Sequence, residues 1–186
     1  MFGAGTCSCR HQPRPPRASA SGVAAIRSLA RASDPPEVRA LLQRVARASV
    51  RVEERLVASI GPGLVILVGV GHEDAEVTAI GQATRVTELR IFADEDGRTN
   101  RSILDVGGAA LVVGQFTLYA DTSRGRRPGF TKAAAPDLAE RLYVRFAQAL
   151  REAGVADVQT GEFGAEMQVE LVNDGPFTIW LNSADR

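Results

Sequence analysis

Few side chains in this 186-residue chain can do chemistry, and the missing ones narrow the reaction first. Histidine occurs only at His11 and His72. His11 lies in a proline- and arginine-rich leader. His72 lies in a Gly71-His72-Glu73-Asp74 turn ahead of a helical pattern, so it reads as a solvated turn residue and no Ser-His-Asp triad is expected. Cys7 and Cys9 are the two cysteines, with no second ligand pair near them. A zinc site is therefore not expected, nor a cysteine nucleophile or disulfide in the body of the chain. Gly69-Val70-Gly71 lacks the third glycine and the βαβ context of a dinucleotide cradle. No cofactor and no metal are expected.

Two hydroxyl-bearing segments remain, Gly114-Gln115-Phe116-Thr117 and Asn173-Asp174-Gly175-Pro176-Phe177-Thr178. Alone, each is a weak signal. Thr117 and Thr178 fall in strand patterns, where β-branched threonine is common, and Gly-Pro usually marks only a turn. Arg124, Arg126, Arg127 and Lys132 place four cations within nine residues. Taken by itself, that stretch reads as a solvated basic loop.

Two helices and a sheet must position these segments. Residues 38–52 alternate loosely as a strand, and residues 64–70, after Gly61-Pro62-Gly63, form the continuous apolar run of a buried strand. Asp74 is expected to cap a helix reaching about Arg90, with Val77, Ile80, Thr84 and Thr87 or Glu88 on its apolar face. Residues 94–97 are a turn. Residues 109–119 read as a second buried strand, carrying Gly114 to Thr117, and residues 119–135 as a polar loop. The clearest element is a helix opened by Pro136, with Leu138, Leu142, Phe146 and Leu150 every fourth residue and Gly154 ending it. Strands are then expected over about residues 155–160, 167–172 and 177–182. The sum is an α/β fold: a sheet-dominated mixed β domain, barrel-like, covered by two helices.

Composition is that of one globular domain, with 45% apolar and 24% charged residues. No run reaches the length of a membrane span, so a soluble, cytoplasmic protein is expected. Basic and acidic residues balance at 22 each, so any RNA contact must come from a local patch. Lys132 is the only lysine, and the arginine-, alanine- and valine-heavy composition suggests a GC-rich coding sequence. Residues 1–37 lack sustained apolar periodicity and read as a disordered extension, with the folded pattern starting at Val38. A transit peptide fits their prolines poorly. An over-extended reading frame ahead of a GTG start at Val38 fits better, and an N-terminal peptide of the native protein beginning before residue 38 sinks that idea.

Together the segments resemble the D-aminoacyl-tRNA deacylase family over nearly all of residues 38–183. The likeness runs through Gln43-Arg44-Val45, Ala48-Ser49-Val50, Leu89-Arg90-Ile91-Phe92, the LVVGQFTLYAD block at residues 111–121, Arg127-Pro128-Gly129-Phe130, Gln159-Thr160-Gly161, Met167-Gln168-Val169 and Asn173-Asp174-Gly175-Pro176. It implies a homodimer in which the segment at Gly114, Gln115, Phe116 and Thr117 of one subunit meets Gly175-Pro176 of the other. It also implies a cis Gly175–Pro176 bond whose carbonyls exclude an L side chain while admitting hydrogen or a D side chain. Glycine esters would then be accepted too. Main-chain N–H groups near residues 115–117 would hold the ester carbonyl, and the terminal 2′-hydroxyl of the tRNA would assist. Gln115 would orient by hydrogen bonding. Arg124, Arg126, Arg127 and Lys132 would grip phosphates of the acceptor end of mischarged tRNA. Neither DNA nor a membrane is an expected partner.

Three residues depart from the family pattern. Gly114 stands where serine is usual, which removes a serine acyl-enzyme at that position. Phe177 replaces valine, adding bulk beside the pocket formed with Gly114 and Thr178, and Thr99 replaces a common methionine. Two other readings stay open: a tRNA- or nucleic-acid-binding dimer of the same fold with a decayed site, and an editing enzyme shifted toward another mischarged tRNA, to which a trans Gly175–Pro176 bond would point.

Overall fold

The computed structural model describes residues 36–185, so the reading of the leader as disordered lies, apart from Pro36 and Glu37, outside the described residues. The domain is built on one long strand, β1 (Arg39–Val52). Along one edge it pairs antiparallel first with β3 (Gly63–Gly69) and then with β2 (Arg55–Ile60). Along the other it pairs over its whole length with β8 (Met167–Asn182). Parallel pairing extends the sheet from β3 to β6 (Ala109–Gly114) and on to β7 (Val158–Thr160). β2 comes round toward β6 and β7, which nearly closes the sheet into a barrel. A two-stranded ribbon, β4 (Phe92–Ala93) and β5 (Thr99–Arg101), flanks the Asp94-Glu95-Asp96-Gly97 turn. Helices α1 (Glu76–Glu88) and α2 (Pro136–Glu152) cover one face, as the sequence predicts.

Both faces of β3 and β6 are buried. Leu64, Ile66, Ala110 and Val112 meet Leu142, Phe146 and Leu150 of α2, while Val65, Leu111 and Val113 join Val45, Val50 and Ile60 inside the curl. Two covered faces explain why these strands read as unbroken apolar runs. The four-residue repeat of α2 is its core stripe, and Gly154 ends the helix at φ +106.

Four expectations need correction. Asp74 does not cap α1. The N-cap is Ala75, with no side-chain cap, and the Asp74 carboxylate accepts from the N–H groups of Glu37 (2.6 Å) and Gly71 (2.7 Å). The buried face of α1 is Ala79, Gln82, Ala83, Val86 and Thr87, whereas Val77 is 75% exposed. Small alanines let the helix lie close against its neighbour, a pattern that a search for large apolar residues misses. The strand expected to reach residue 119 ends at Gly114, where its partner β3 runs out, and Phe116–Tyr119 coil into one 3-10 turn. Finally, residues 167–172 and 177–182 are two stretches of the single strand β8. Between Gln43 and Val45 β1 advances two residues while β8 advances five, from Asn173 to Thr178, so residues 174–177 are pushed out as a bulge.

Candidate active site

Gly114 closes β6, the Gln115 N–H donates to the Val68 carbonyl at 2.7 Å, and the chain then coils. The first bond of the 3-10 turn runs from Leu118 N–H to the Gln115 carbonyl at 3.2 Å. The N–H groups of Phe116 and Thr117 precede that bond, so the turn itself supplies them no acceptor. They are two adjacent donors, and Phe116 borders a cleft. The Gln115 carboxamide donates to Thr117 Oγ1 at 2.5 Å, which ties the two polar side chains of the motif together.

The cleft has a volume of about 570 Å³ and is walled by Gly114, Gln115 and Phe116 on one side and by Phe130, Tyr143, Phe163 and Met167 on the others. Its lining is mostly apolar and aromatic, suited to a flat ring system. Phe116, 57% exposed, meets Phe130 edge-to-face at 5.0 Å and 71°. Phe163 fills the room beside Gly114: a Cβ there would lie 3.3 Å from its ring. Tyr143 stands behind Phe163 at 5.7 Å, with its hydroxyl donating to the Val112 carbonyl at 2.9 Å. Burial pushes the Tyr143 phenol up to about 12, so it stays protonated and serves as a wall.

Gly175, Pro176, Phe177 and Thr178 do not line this cleft; they sit on or beside the β8 bulge. Among the described residues no peptide bond is cis, so Gly175–Pro176 is trans, contrary to the cis form implied by the resemblance. Gly175 takes φ +119, which carries the chain through the bulge without the isomeric bond. Arg44 holds the bulge from beneath. Its Nη1 donates to the Ile91 carbonyl at 2.5 Å, its Nε lies 3.2 Å from both the carbonyl and a carboxylate oxygen of Asp174, and its guanidinium faces the Phe177 ring at 4.9 Å. The Phe177 N–H donates to Asn173 Oδ1 at 2.7 Å. Within the single chain the Phe177 ring packs on the core under Arg44. Nothing in the structure explains Thr99.

The basic loop leaves and rejoins the domain through reciprocal bonds between Asp121 and Gly129, of 2.8 and 2.9 Å. Arg124, Arg126 and Arg127 are exposed at its tip and Lys132 is exposed on its return. Phe130 fastens the loop to Phe116, and the His72 ring nitrogen lies 2.6 Å from the Thr131 carbonyl, so His72 braces the loop as well as facing solvent. Asp121 is held below its usual carboxylate range, chiefly by its hydrogen bonds from Ser123. Among the described residues no three His, Cys, Asp or Glu side chains gather as metal ligands would.

Sequence reading missed Arg39, Arg44, Tyr119, Phe163 and Phe130 as parts of this region. The available signals were arginines facing a strand register otherwise half-buried, and the paired glycines at residues 69 and 71.

The chain is similar to known proteins over most of its length. A family model described as D-Tyr-tRNA(Tyr) deacylase matches residues 41–182. A D-aminoacyl-tRNA deacylase of Paracoccus denitrificans is 58% identical over 149 residues, 80% of this chain and 99% of the relative. One of Thermomicrobium roseum is 60% identical over 148 residues, 80% of this chain and 96% of the relative. Among solved structures, the c-Myc DNA unwinding element binding protein superposes with a TM-score of 0.73 at 37% identity, covering 77% of this chain and 97% of that one. A probable eukaryotic D-amino acid tRNA deacylase superposes with a TM-score of 0.71, covering 78% and 99%; at 18% identity it speaks for the fold alone.

Proposed function

The chain belongs to the D-Tyr-tRNA(Tyr) deacylase family and is a hydrolase of the aminoacyl-tRNA ester, and from that premise we propose how its site works. The observation that carries the reading is the turn at residues 115–117, where the N–H groups of Phe116 and Thr117 come before the first bond of the 3-10 turn and Gln115 and Phe116 border an aromatic cleft. The cleft receives the terminal nucleoside, whose base stacks against Phe163 or Phe130. The ester carbonyl then points at the N–H groups of Phe116 and Thr117, which stabilise the oxyanion as water adds to the carbonyl carbon. The bond to the ribose oxygen breaks and the tRNA 2′-hydroxyl passes the proton, so the protein supplies position and no nucleophile. Gln115, bonded to Thr117, orients this arrangement. Gly114 carries no hydroxyl, which fits a reaction without an acyl-enzyme.

The second half of the site comes from another copy. β8 pairs with no strand on its outer edge among the described residues, and Trp180 is 45% exposed on it. Such a long open edge is normally covered. A second copy seated there brings its bulge, with Gly175 and Pro176, to a cleft they do not line in their own chain. Main chain at that place excludes an L side chain and admits a D side chain or glycine. Arg124, Arg126, Arg127 and Lys132 hold acceptor-end phosphates in a sequence-independent way. We assign the work to the cytoplasm, where aminoacyl-tRNA is used. No helix among the described residues is long and apolar enough to cross a membrane.

The test is deacylation of D-tyrosyl-tRNA beside L-tyrosyl-tRNA and glycyl-tRNA, with the oligomeric state measured in parallel. Loss of the D-tyrosyl and glycyl esters with the L ester intact, by a dimer, is the expected result. The trans Gly175–Pro176 bond favours one second reading, selectivity shifted toward another mischarged tRNA; hydrolysis of an L ester identifies it. Binding of tRNA with all esters surviving identifies the decayed binding dimer instead.

A further inference from the structure

The Gly69-Val70-Gly71 run, useless as a nucleotide cradle, is a seat. A Cβ on Gly69 would lie 3.1 Å from the Gln115 carbonyl oxygen and 3.1 Å from the Tyr119 ring, with Leu118 Cβ at 3.2 Å. A Cβ on Gly71 would lie 2.9 Å from the Tyr119 hydroxyl. The end of β3 is therefore bare where the 3-10 turn rests on it, and the buried Tyr119 ring is the peg. Its hydroxyl donates to the Glu37 carbonyl, and Glu37 N–H in turn donates to Asp74.

Arg39 locks the peg from the other side. Its Nη1 donates to the Leu118 carbonyl at 2.9 Å, one of the carbonyls that a helix end leaves without a partner. Its Nη2 pairs with Glu37 Oε2 at 2.6 Å, and its guanidinium carbon lies over the Tyr119 ring at 4.2 Å, with the Trp180 ring farther out at 6.0 Å. Only a planar, forked cation can cap a carbonyl, pair with a carboxylate and stack on a ring at once. Neither Arg39 nor Tyr119 borders the cleft.

We propose that Arg39, acting with Tyr119 on its seat of Gly69 and Gly71, is the positioning residue of the reacting turn: it sets the height at which the Phe116 and Thr117 N–H groups meet the ester carbonyl. This rests on residues 115–117 being the reacting turn. Displacement of oriented donors by a fraction of an ångström to 1 Å lowers turnover by up to about a hundredfold, with little effect on binding.

The experiment compares kcat, KM and thermal midpoint for D-tyrosyl-tRNA hydrolysis by the full chain and by Arg39→Met, Arg39→Lys, Tyr119→Phe and Gln115→Ala. Arg39→Met is expected to lower kcat about tenfold or more with KM within about twofold, and Arg39→Lys to recover part of the loss, while both remain folded. If Gln115→Ala lowers kcat and Arg39→Met does not, or if KM rises in step with the loss, the positioning role is overturned and the site assignment survives. If neither variant changes kcat, the site assignment fails and takes this inference with it. Should Arg39→Met fail to fold, Tyr119→Phe keeps the ring on its seat and removes only the hydroxyl. A loss of roughly threefold in kcat at unchanged KM then supports the proposal, and an unchanged kcat overturns it.

Discussion

The turn at Phe116–Tyr119 and the bulge at residues 174–177 both carry short polar motifs, but they are held in different ways. The turn is fixed from inside its own chain, by a strand end stripped of side chains, a buried tyrosine and a capping arginine. It opens into a cleft of that same chain. The bulge is held by Arg44 and Asn173, and its residues 174–176 are exposed. On the proposed function, the first motif is the half of the site that its own chain completes and the second is the half that a neighbour receives. The difference teaches that a reacting centre needs preorganised donors, whereas a discriminating wall needs only to arrive in the right place.

The largest expected effect comes from the bulge. Gly175→Ala places a Cβ 2.6 Å from Arg44 Nη2, which can swing aside, but at a backbone φ of +119 that L side chains rarely adopt, so the bulge is strained and Arg44 loses its place. We expect D-tyrosyl-tRNA hydrolysis to fall a hundredfold or more, or L-tyrosyl-tRNA to become a substrate, with the thermal midpoint shifted by only a few degrees because Phe177 alone of the bulge residues packs on the core. Wild-type activity and selectivity in this variant would remove the bulge from the site. Next is Gly69→Ala, which presses on the Gln115 carbonyl at 3.1 Å. It should lower kcat by roughly ten- to a hundredfold while leaving discrimination between D and L esters unchanged. A loss of discrimination here would mean that the two regions are one unit.

A smaller effect is expected from replacing Arg124, Arg126 and Arg127 together by alanine. KM should rise about tenfold near physiological salt, kcat should hold, and the slope of log affinity against log salt should shrink by about 2 to 3 if each arginine meets a phosphate. An unchanged salt slope would return the loop to solvent. The smallest effect concerns the wall of the cleft. Tyr143 has its phenol raised to about 12 by burial, against an ordinary value of 10.0. Above pH 10 the unfolded chain gives up this proton while the folded one keeps it, so the Tyr143 contribution to stability is full below pH 10 and is lost as pH rises through about 12. Thermal midpoints of the protein and of Tyr143→Phe, measured from pH 8 to 12, should converge in that window.

How much of this could be read in advance differs by region. The helix α2 was legible because one face meets one core, so a four-residue repeat and its Pro136 and Gly154 ends survive folding intact. The buried strands were legible too, since a strand covered on both faces has little choice but aliphatic side chains. The helix α1 was placed correctly but its face was read only in part: Thr87 is buried and Ile80 packs on the core as expected, whereas Val77 is exposed and Ala79, Gln82, Ala83 and Val86 carry the rest of the buried face. The strand ending at Gly114 and the coil after it were not legible. LVVGQFTLY has the composition of one continuous strand, and only the ending of β3 stops it. The single strand β8 with its bulge was read as two, since the extra residues show only against the register of β1.

Local sequence by itself determined the material of the site: a motif with Gly114 and no serine, a Gly-Pro pair, four cations in one loop, and a body of the chain without cysteine and with His72 as its one histidine. Those choices limit the chemistry because side-chain functional groups are a property of residue type alone. Only the tertiary structure decided that Gly69 and Gly71 are a seat, that Arg39 caps a turn 79 residues away, and that the two motifs of one chain face different spaces. Those are statements about which main-chain atoms meet across the sheet. Pairing register and close approach settle such meetings, and neither leaves a periodic mark in the sequence.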